Sequence, residues 1–467
     1  MKKNYLKYCG FHIAIGLVLT SCSSFTHGSD QFHLPAVQSI FSNNNSEFLP
    51  SLNEISADAF RSRQALNWWE NFEDPFLDYL VYETFQKSYD IRRSLTDVEQ
   101  AEAILRGVRA DLLPRVNANS QIGALDFDDI DLSTGLSGEW DLDLFGQTRQ
   151  TVKQAQTNVA INQALARDVR RLVVTRLVQT YITYRTTEGR IDLSQSNLDR
   201  LLKARQRINR LVQSGYSSRL DLDRAETQIS QLQSNMSALE AQKVSTRNAL
   251  AIFMQVSPET LQGWLSNESS TLKLPQNIAP PSLDYIARHR PDIRVAEWSL
   301  VSATQSRRAA QMALYPDITL DGDIFSISAL SNLTDFGNVT STIAANIVQP
   351  LFGRGRLLAG IDLESARVKQ ALLNYEETVF QAALDIDTSL ATWDRRQKQL
   401  AFDQKTLTTA TEAQKRAQKL FFAGEESYTA VIVAENTRLA AEDRYLISRL
   451  AAFESYIDYS ASTVPNW

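Results

Sequence analysis

Between Pro114 and Pro258, and again between Pro350 and Pro465, the chain contains no proline. Proline inside a helix removes a backbone donor and collides with the preceding turn, so two such spans permit helices far longer than an ordinary domain holds. Glycine, the other common breaker, is also scarce at 17 in 467 residues. From Gly146 to Gly215 the pattern reads as one helix, with Gly189 as its weak point. At 1.5 Å per residue it would reach roughly 100 Å. Leu198, Leu201, Arg205, Ile208 and Val212 recur at three-four spacing, as do Ile229, Leu232, Met236 and Leu239. This is a coiled-coil seam with one charged interruption. Gly215 suits a left-handed C-terminal cap, and Ser218 with Asp221 forms a capping-box-like start for a returning helix. Gly424 and Ser427 repeat the arrangement, so two long antiparallel helical hairpins are expected, with tips at Gly215 and Gly424.

The hairpins belong to a duplication. Asp90-Ile91-Arg92 returns as Asp292-Ile293-Arg294, Leu113-Pro114 as Tyr315-Pro316, and Phe145-Gly146 as Phe352-Gly353. A period of about 200 residues is far beyond that of solenoids and indicates a doubled domain. Each copy opens with a helical stretch, Pro75 to Leu112 and Ser282 to Leu314, followed by two strand-like runs. Val116, Ala118, Ser120, Ile122 and Ala124 alternate with Asn117, Asn119, Gln121 and Gly123. Leu132, Thr134, Leu136, Gly138, Trp140, Leu142 and Leu144 alternate with Ser133, Gly135, Ser137, Glu139, Asp141 and Asp143. In the second copy Ile318, Leu320, Gly322 and Ile324 alternate with Thr319, Asp321 and Asp323. Val339, Ser341, Ile343, Ala345 and Ile347 then alternate with Thr340, Thr342 and Asn346.

Period-two alternation puts one set of residues on each face of a strand. Runs of about ten residues with one apolar and one polar face suit a membrane barrel, apolar to lipid and polar to a wet lumen. They also suit a half-buried sheet in a soluble domain. Two strands per copy cannot close a barrel, so the lipid reading requires several chains. No apolar run after the first two dozen residues approaches the roughly 20 needed for a spanning helix.

Lys2, Lys3 and Lys7 precede the apolar run Phe11 to Leu19, which together read as a secretory signal over residues 1–21. Leu19-Thr20-Ser21-Cys22 resembles a bacterial lipobox, whose cysteine becomes the lipidated first residue; an ordinary cleavage site beside a cysteine is the alternative. Cys9 lies in the signal, so Cys22 would be alone in the mature chain, without a disulfide partner. Ser23 rather than Asp follows it, which by resemblance to sorted lipoproteins favours the outer membrane. Residues 22–65, rich in Ser, Asn and Pro, read as an extended lipid-anchored lead, and residues 66–274 and 275–467 as the two structural repeats.

Three further motifs carry a family resemblance. Trp68-Trp69-Glu70-Asn71-Phe72-Glu73-Asp74-Pro75 resembles the opening of TolC-like outer-membrane efflux proteins, the lipoprotein outer-membrane factors of resistance-nodulation-division pumps. Arg290-Pro291-Asp292-Ile293-Arg294-Val295-Ala296-Glu297 is similar to their central signature, and Glu139-Trp140-Asp141-Leu142-Asp143-Leu144-Phe145-Gly146 to their second-strand exit. The resemblance implies an α+β fold: a homotrimer with four strands per chain in a twelve-stranded transmembrane β-barrel, continued by a coiled-coil periplasmic tunnel. It also implies two partners, a periplasmic adaptor docked at the helix tips and an inner-membrane transporter that supplies the energy. The chain would then be a passive exit duct for small molecules such as drugs or toxic compounds. An outlet for type I protein secretion and a soluble periplasmic coiled-coil scaffold are the rival readings.

The formal net charge of −6 provides no polybasic footprint for nucleic acid. Of the four histidines, His12 lies in the signal, His27 and His33 in the lead, and His289 stands alone between Arg288 and Arg290. No triad or zinc set can be assembled from these, and Gly353-Arg354-Gly355-Arg356 lacks the lysine-hydroxyl pair of a phosphate loop. No catalytic, cofactor or metal residue is expected, and the chain is not read as an enzyme. By the family resemblance, carboxylates just beyond the tip glycines ring a closed periplasmic aperture. Asp221 and Asp223 follow Gly215; in the second copy Ala430 and Val433 stand where the family often has aspartates, while Glu425 and Glu426 lie nearer Gly424. Asp221 and Asp223 equally suit a helix N-terminus, so cap and gate stand side by side.

Overall fold

The computed structural model describes residues 67–126, 129–267, 272–275, 289–329 and 339–463. The signal, Cys22 and the lead segment fall outside them. A 3-10 helix at Trp68–Phe72 leads into α1 (Pro75–Lys87) and α2 (Tyr89–Ala110). Strands β1 (Arg115–Asp126) and β2 (Asp129–Asp141) follow, then α3 (Gln147–Gln213), α4 (Arg219–Met254) and α5 (Pro258–Asn267). The second copy contributes α6 (Pro291–Met312), β3 (Asp317–Ala329), β4 (Val339–Val348), α7 (Arg354–Phe422) and α8 (Tyr428–Thr463).

The long helices form as the missing prolines predict. α3 runs 67 residues and α7 runs 69, each about 100 Å at the α-helical rise. α3 passes through Gly189 without a break, because a lone glycine costs only about 1 kcal/mol and α3 is packed along its length. α3 pairs with α4 and α7 with α8. In the first pair Ile208 packs against Leu222 and Ala225 of the returning helix, and Leu201, Ile229, Met236 and Leu239 are also buried. The four strands form one antiparallel sheet in the order β1-β2-β3-β4. Beneath it the helices adjoin in the matching order α2, α3, α6, α7.

Two sequence expectations need correcting. The stretch from Pro75 to Leu112 is two helices, because Ser88 adopts an extended ψ of 126°. The break lets α1 turn Leu77, Leu80, Val81 and Thr84 into the core while α2 runs along α3. The alternation read as far as Leu144 overshoots: β2 stops at Asp141, and Asp143 (φ 27°) turns the chain into α3. In the second copy the helix begins at Pro291 among the described residues, and residues 282–288 lie outside them.

The core is an aromatic knot midway along the helices. Trp68, Phe72 and Tyr456 meet edge-to-face with centroids 5.3 to 6.4 Å apart, and Trp393 and Phe453 extend the group. Asp74 is the hinge of the knot. Its Oδ1 accepts from the amides of Phe76 (3.1 Å) and Leu77 (3.2 Å), capping α1 at Pro75, and its Oδ2 accepts from the Tyr181 hydroxyl (3.0 Å). The Trp68-to-Pro75 motif is therefore a packing and capping device.

Candidate channel lining and helix-tip aperture

Near the helices the strand registers sort the cross-strand pairs by polarity, while toward the far end Phe325 lies on the polar face, opposite Gly135 and Thr340. On one face Asn117 lies opposite Ser137, Ser137 opposite Asp323, and Asp323 opposite Thr342. On the other, Ala118 lies opposite Leu136, Leu136 opposite Ile324, and Gly322 opposite Ile343. One face thus reads largely polar across the four strands and the other largely apolar. Polar side chains bond laterally on the first face, as when Asn119 Nδ2 donates to Ser137 Oγ at 2.6 Å. The apolar face is uncovered in the single chain: Val116, Ile122, Leu136, Ile324 and Ile343 are all more than half exposed. Among the described residues no helix is long and apolar enough to cross a membrane.

The joint between sheet and helices is built by carboxylates. Asp143 Oδ1 accepts from the amide of Thr148, and its Oδ2 accepts from the amide and Nε of Arg149, all at 2.9 to 3.1 Å. This caps α3 at its positive end. Below the joint, Arg290 clamps the second copy. It is 7% exposed, holds Asp292 through Nε and Nη2, and donates Nη1 to the carbonyls of Ala382 and Ser462 at 3.3 Å. Burial alone would raise the Asp292 carboxyl, but the Arg290 hydrogen bonds and charge outweigh it and hold it below the usual range. Arg190 spans from α3 to Asp443 of α8 at 2.7 and 3.1 Å, and buried Arg438 of α8 reaches Asn197 of α3 at 3.3 Å. Sequence reading missed these bridges, whose partners lie more than 240 positions apart. Periodicity within one helix carries no signal for them.

Both tips close in the same way. The amide of Tyr216 donates to Leu211 O (2.8 Å) and that of Gly215 to Val212 O (3.1 Å), with Gly215 at φ 76°. Glu425 and Gly424 repeat the pattern onto Leu420 and Phe421, both at 3.0 Å, with Gly424 at φ 77°. These are paired Schellman caps, which a Cβ at the left-handed position would strain. Asp221 is engaged in the turn: its Oδ2 accepts from Ser217 Oγ (2.9 Å) and the Ser218 amide (3.3 Å), completing a capping box, and its side chain is 16% exposed. Asp223, 57% exposed at its side chain, lies 3.6 Å from Arg219 and lines a shallow polar groove with Glu226, Thr227 and Ser230. Glu425 and Glu426 are exposed at the second tip. The two tips thus present different acids: the Asp221 carboxylate is held in the turn at the first, and Glu425 and Glu426 are exposed at the second.

Comparison with known proteins fits this architecture. Residues 80–254 and 283–457 each match the outer membrane efflux protein family. The chain belongs to that family. Each matched span contains two strands and one long helical hairpin. Among curated relatives, the probable outer membrane lipoprotein SilC of Salmonella typhimurium is 27% identical over 86% of this chain and 88% of its own length. The cation efflux system protein CusC of Escherichia coli strain K12 is 26% identical over 82% and 85%. The solved outer-membrane channel OprN superposes with a TM-score of 0.80 at 23% identity, covering 89% of this chain and 98% of the other. The fold is TolC-like, and the chain is a non-enzymatic outer-membrane efflux channel component.

Proposed function

We propose that three copies of this chain form the exit duct of a tripartite pump, anchored through Cys22 and divided into repeats near residue 275. The observation that carries it is the open sheet: four strands with one largely apolar and one largely polar face, both edges unpaired among the described residues, set on four adjoining helices. Three such sheets close twelve strands around a polar lumen, which removes every exposed edge in lipid. Small molecules pass through passively, handed on by an inner-membrane transporter through an adaptor at the helix tips. Asp221, Asp223, Glu425 and Glu426, beside Gly215 and Gly424, form the closed aperture in this reading. Three-fold symmetry turns each carboxylate into a ring of like charges that attracts cations.

Single-channel recording in planar bilayers tests both levels. The purified protein should insert and conduct with cation preference. Asp221→Asn, Glu425→Gln and Glu426→Gln together should reduce that preference while insertion stays normal. A protein that remains soluble once lipid and detergent are removed would be the scaffold instead. Unchanged selectivity in the triple variant would place the aperture elsewhere.

A further inference from the structure

We infer the register in which neighbouring copies join: Asn346 of β4 lies opposite Gln121 in β1 of the next copy, with Ile347 opposite Ser120 and Ala345 opposite Ile122. The inference rests on the trimeric reading above and specifies the surface that reading requires.

Two side-chain clamps fix how one hairpin maps onto the other. Trp140 Nε1, at the end of β2, donates to Leu112 O at 3.1 Å; Gln349 Nε2, just after β4, donates to Leu314 O at 3.1 Å. Equating them displaces the first strand by 202 positions (Leu112 to Leu314) and the second by 209 (Trp140 to Gln349). The same displacements turn Arg115 opposite Glu139 into Asp317 opposite Val348, which is the register the second hairpin adopts. The Phe145–Phe352 echo is two positions out of step because the connection after β4 is shorter: Glu139 to Phe145 takes six steps, Val348 to Phe352 four.

The β2–β3 joint within the chain then serves as the template for the joint between chains. Ser137 opposite Asp323 becomes Asn346 opposite Gln121, and Gly138 opposite Gly322 becomes Ile347 opposite Ser120. Gln121 meets Asn346 and each face of the sheet continues onto the same face of the next copy, as a one-residue slip would not allow. At the template joint Phe145 stacks on Tyr315 at 5.0 Å. The counterparts are Phe352, 95% exposed, and Leu113, 63% exposed, which the next copy would bring together.

The barrel geometry accommodates the same register. A line of partners from Asn117 through Ser137, Asp323 and Thr342 arrives at Leu125 of the next copy, eight residues along. Three joints give a shear of about 24, a strand tilt of about 54° and a diameter of about 31 Å. Twelve helices side by side at 8–10 Å spacing make a ring about 31–38 Å across. A register two residues shorter gives about 27 Å and one two residues longer about 37 Å, so the ring of helices disfavours the shorter register and the β2–β3 template decides against the longer one.

Disulfide trapping tests the register. The Leu142 amide bonds Ile318 O at 3.0 Å, so polar-face partners at the template joint are the non-hydrogen-bonded pairs, whose Cα atoms approach closely enough for a disulfide. Full-length Gln121→Cys/Asn346→Cys, oxidised mildly in membranes, should form covalent trimers roughly ten-fold faster than Asn119→Cys/Asn346→Cys or Asn117→Cys/Asn346→Cys. The single variants should stay uncross-linked. Faster trapping in either shifted pair overturns the register, as does no trapping in any pair while native mass reports a trimer. A monomer by native mass overturns the trimeric reading itself, and the register with it.

Discussion

Asp78 sits in the first turn of α1 with its Oδ1 buried and unpartnered, facing Glu70 and Asp74. Burial first, and the two neighbouring acids second, push its carboxyl up from 3.8 to about 6. Between those values the folded chain holds a proton that the unfolded chain has released, so stability falls as pH rises through this window. Asp78→Asn keeps the shape and removes the charge. In detergent it should melt higher than the parent at pH 7.5, with the gap closing as pH drops from about 6 towards 4. Parallel melting curves across that range would show the acid is solvated after all. Nothing in the sequence marks Asp78, because its burial comes from packing that periodicity does not encode. Asp221 is the contrasting case: Ser218 three positions before it announced a capping box, and the carboxylate is found there. Whether the same group also lines an aperture depends on neighbouring copies, which no local pattern contains.

At the scale of elements, the strands were readable because a face exposed to lipid and a face exposed to water impose strict alternation. That alternation survives cross-strand pairing next to the helices in all three joints, and it lapses toward the far end of β3, where Phe325 falls on the polar face and Ser326 on the apolar one. Where the pattern failed, the cause was local backbone geometry. Asp141 and Asp143 kept the alternation going on paper while the chain had already turned to cap α3. Ser88 interrupted a run that was apolar-periodic on both sides. Arg at Leu136, on the apolar face, should impair insertion by roughly 2–4 kcal/mol if it lies near the bilayer midplane. Arg at Ser137, one residue on and across the sheet, should be tolerated. Folding yields into lipid vesicles compare the two, and equal losses would mean the faces are wrongly assigned.

At the scale of the molecule, duplication explains why so much was legible: each copy checks the other, and a glycine at one tip predicts a glycine at the second. Duplication also conceals, since the clamps by Arg190 and Arg438 that hold the copies together have no counterpart pattern to compare. The lead and its cysteine belong to neither copy, and we propose that they provide a second attachment independent of the barrel. We predict that Cys22 is the first mature residue and carries acyl chains. The acyl chains and the apolar strand face attach the protein to the membrane by separate means. Cys22→Ala should therefore lose the lipid mass yet still yield trimers in the outer membrane, at a reduced rate of delivery. Intact mass spectrometry of the mature chain decides it. An unmodified terminus at another residue removes the anchor, and a variant that never reaches the membrane makes the lipid a requirement for assembly.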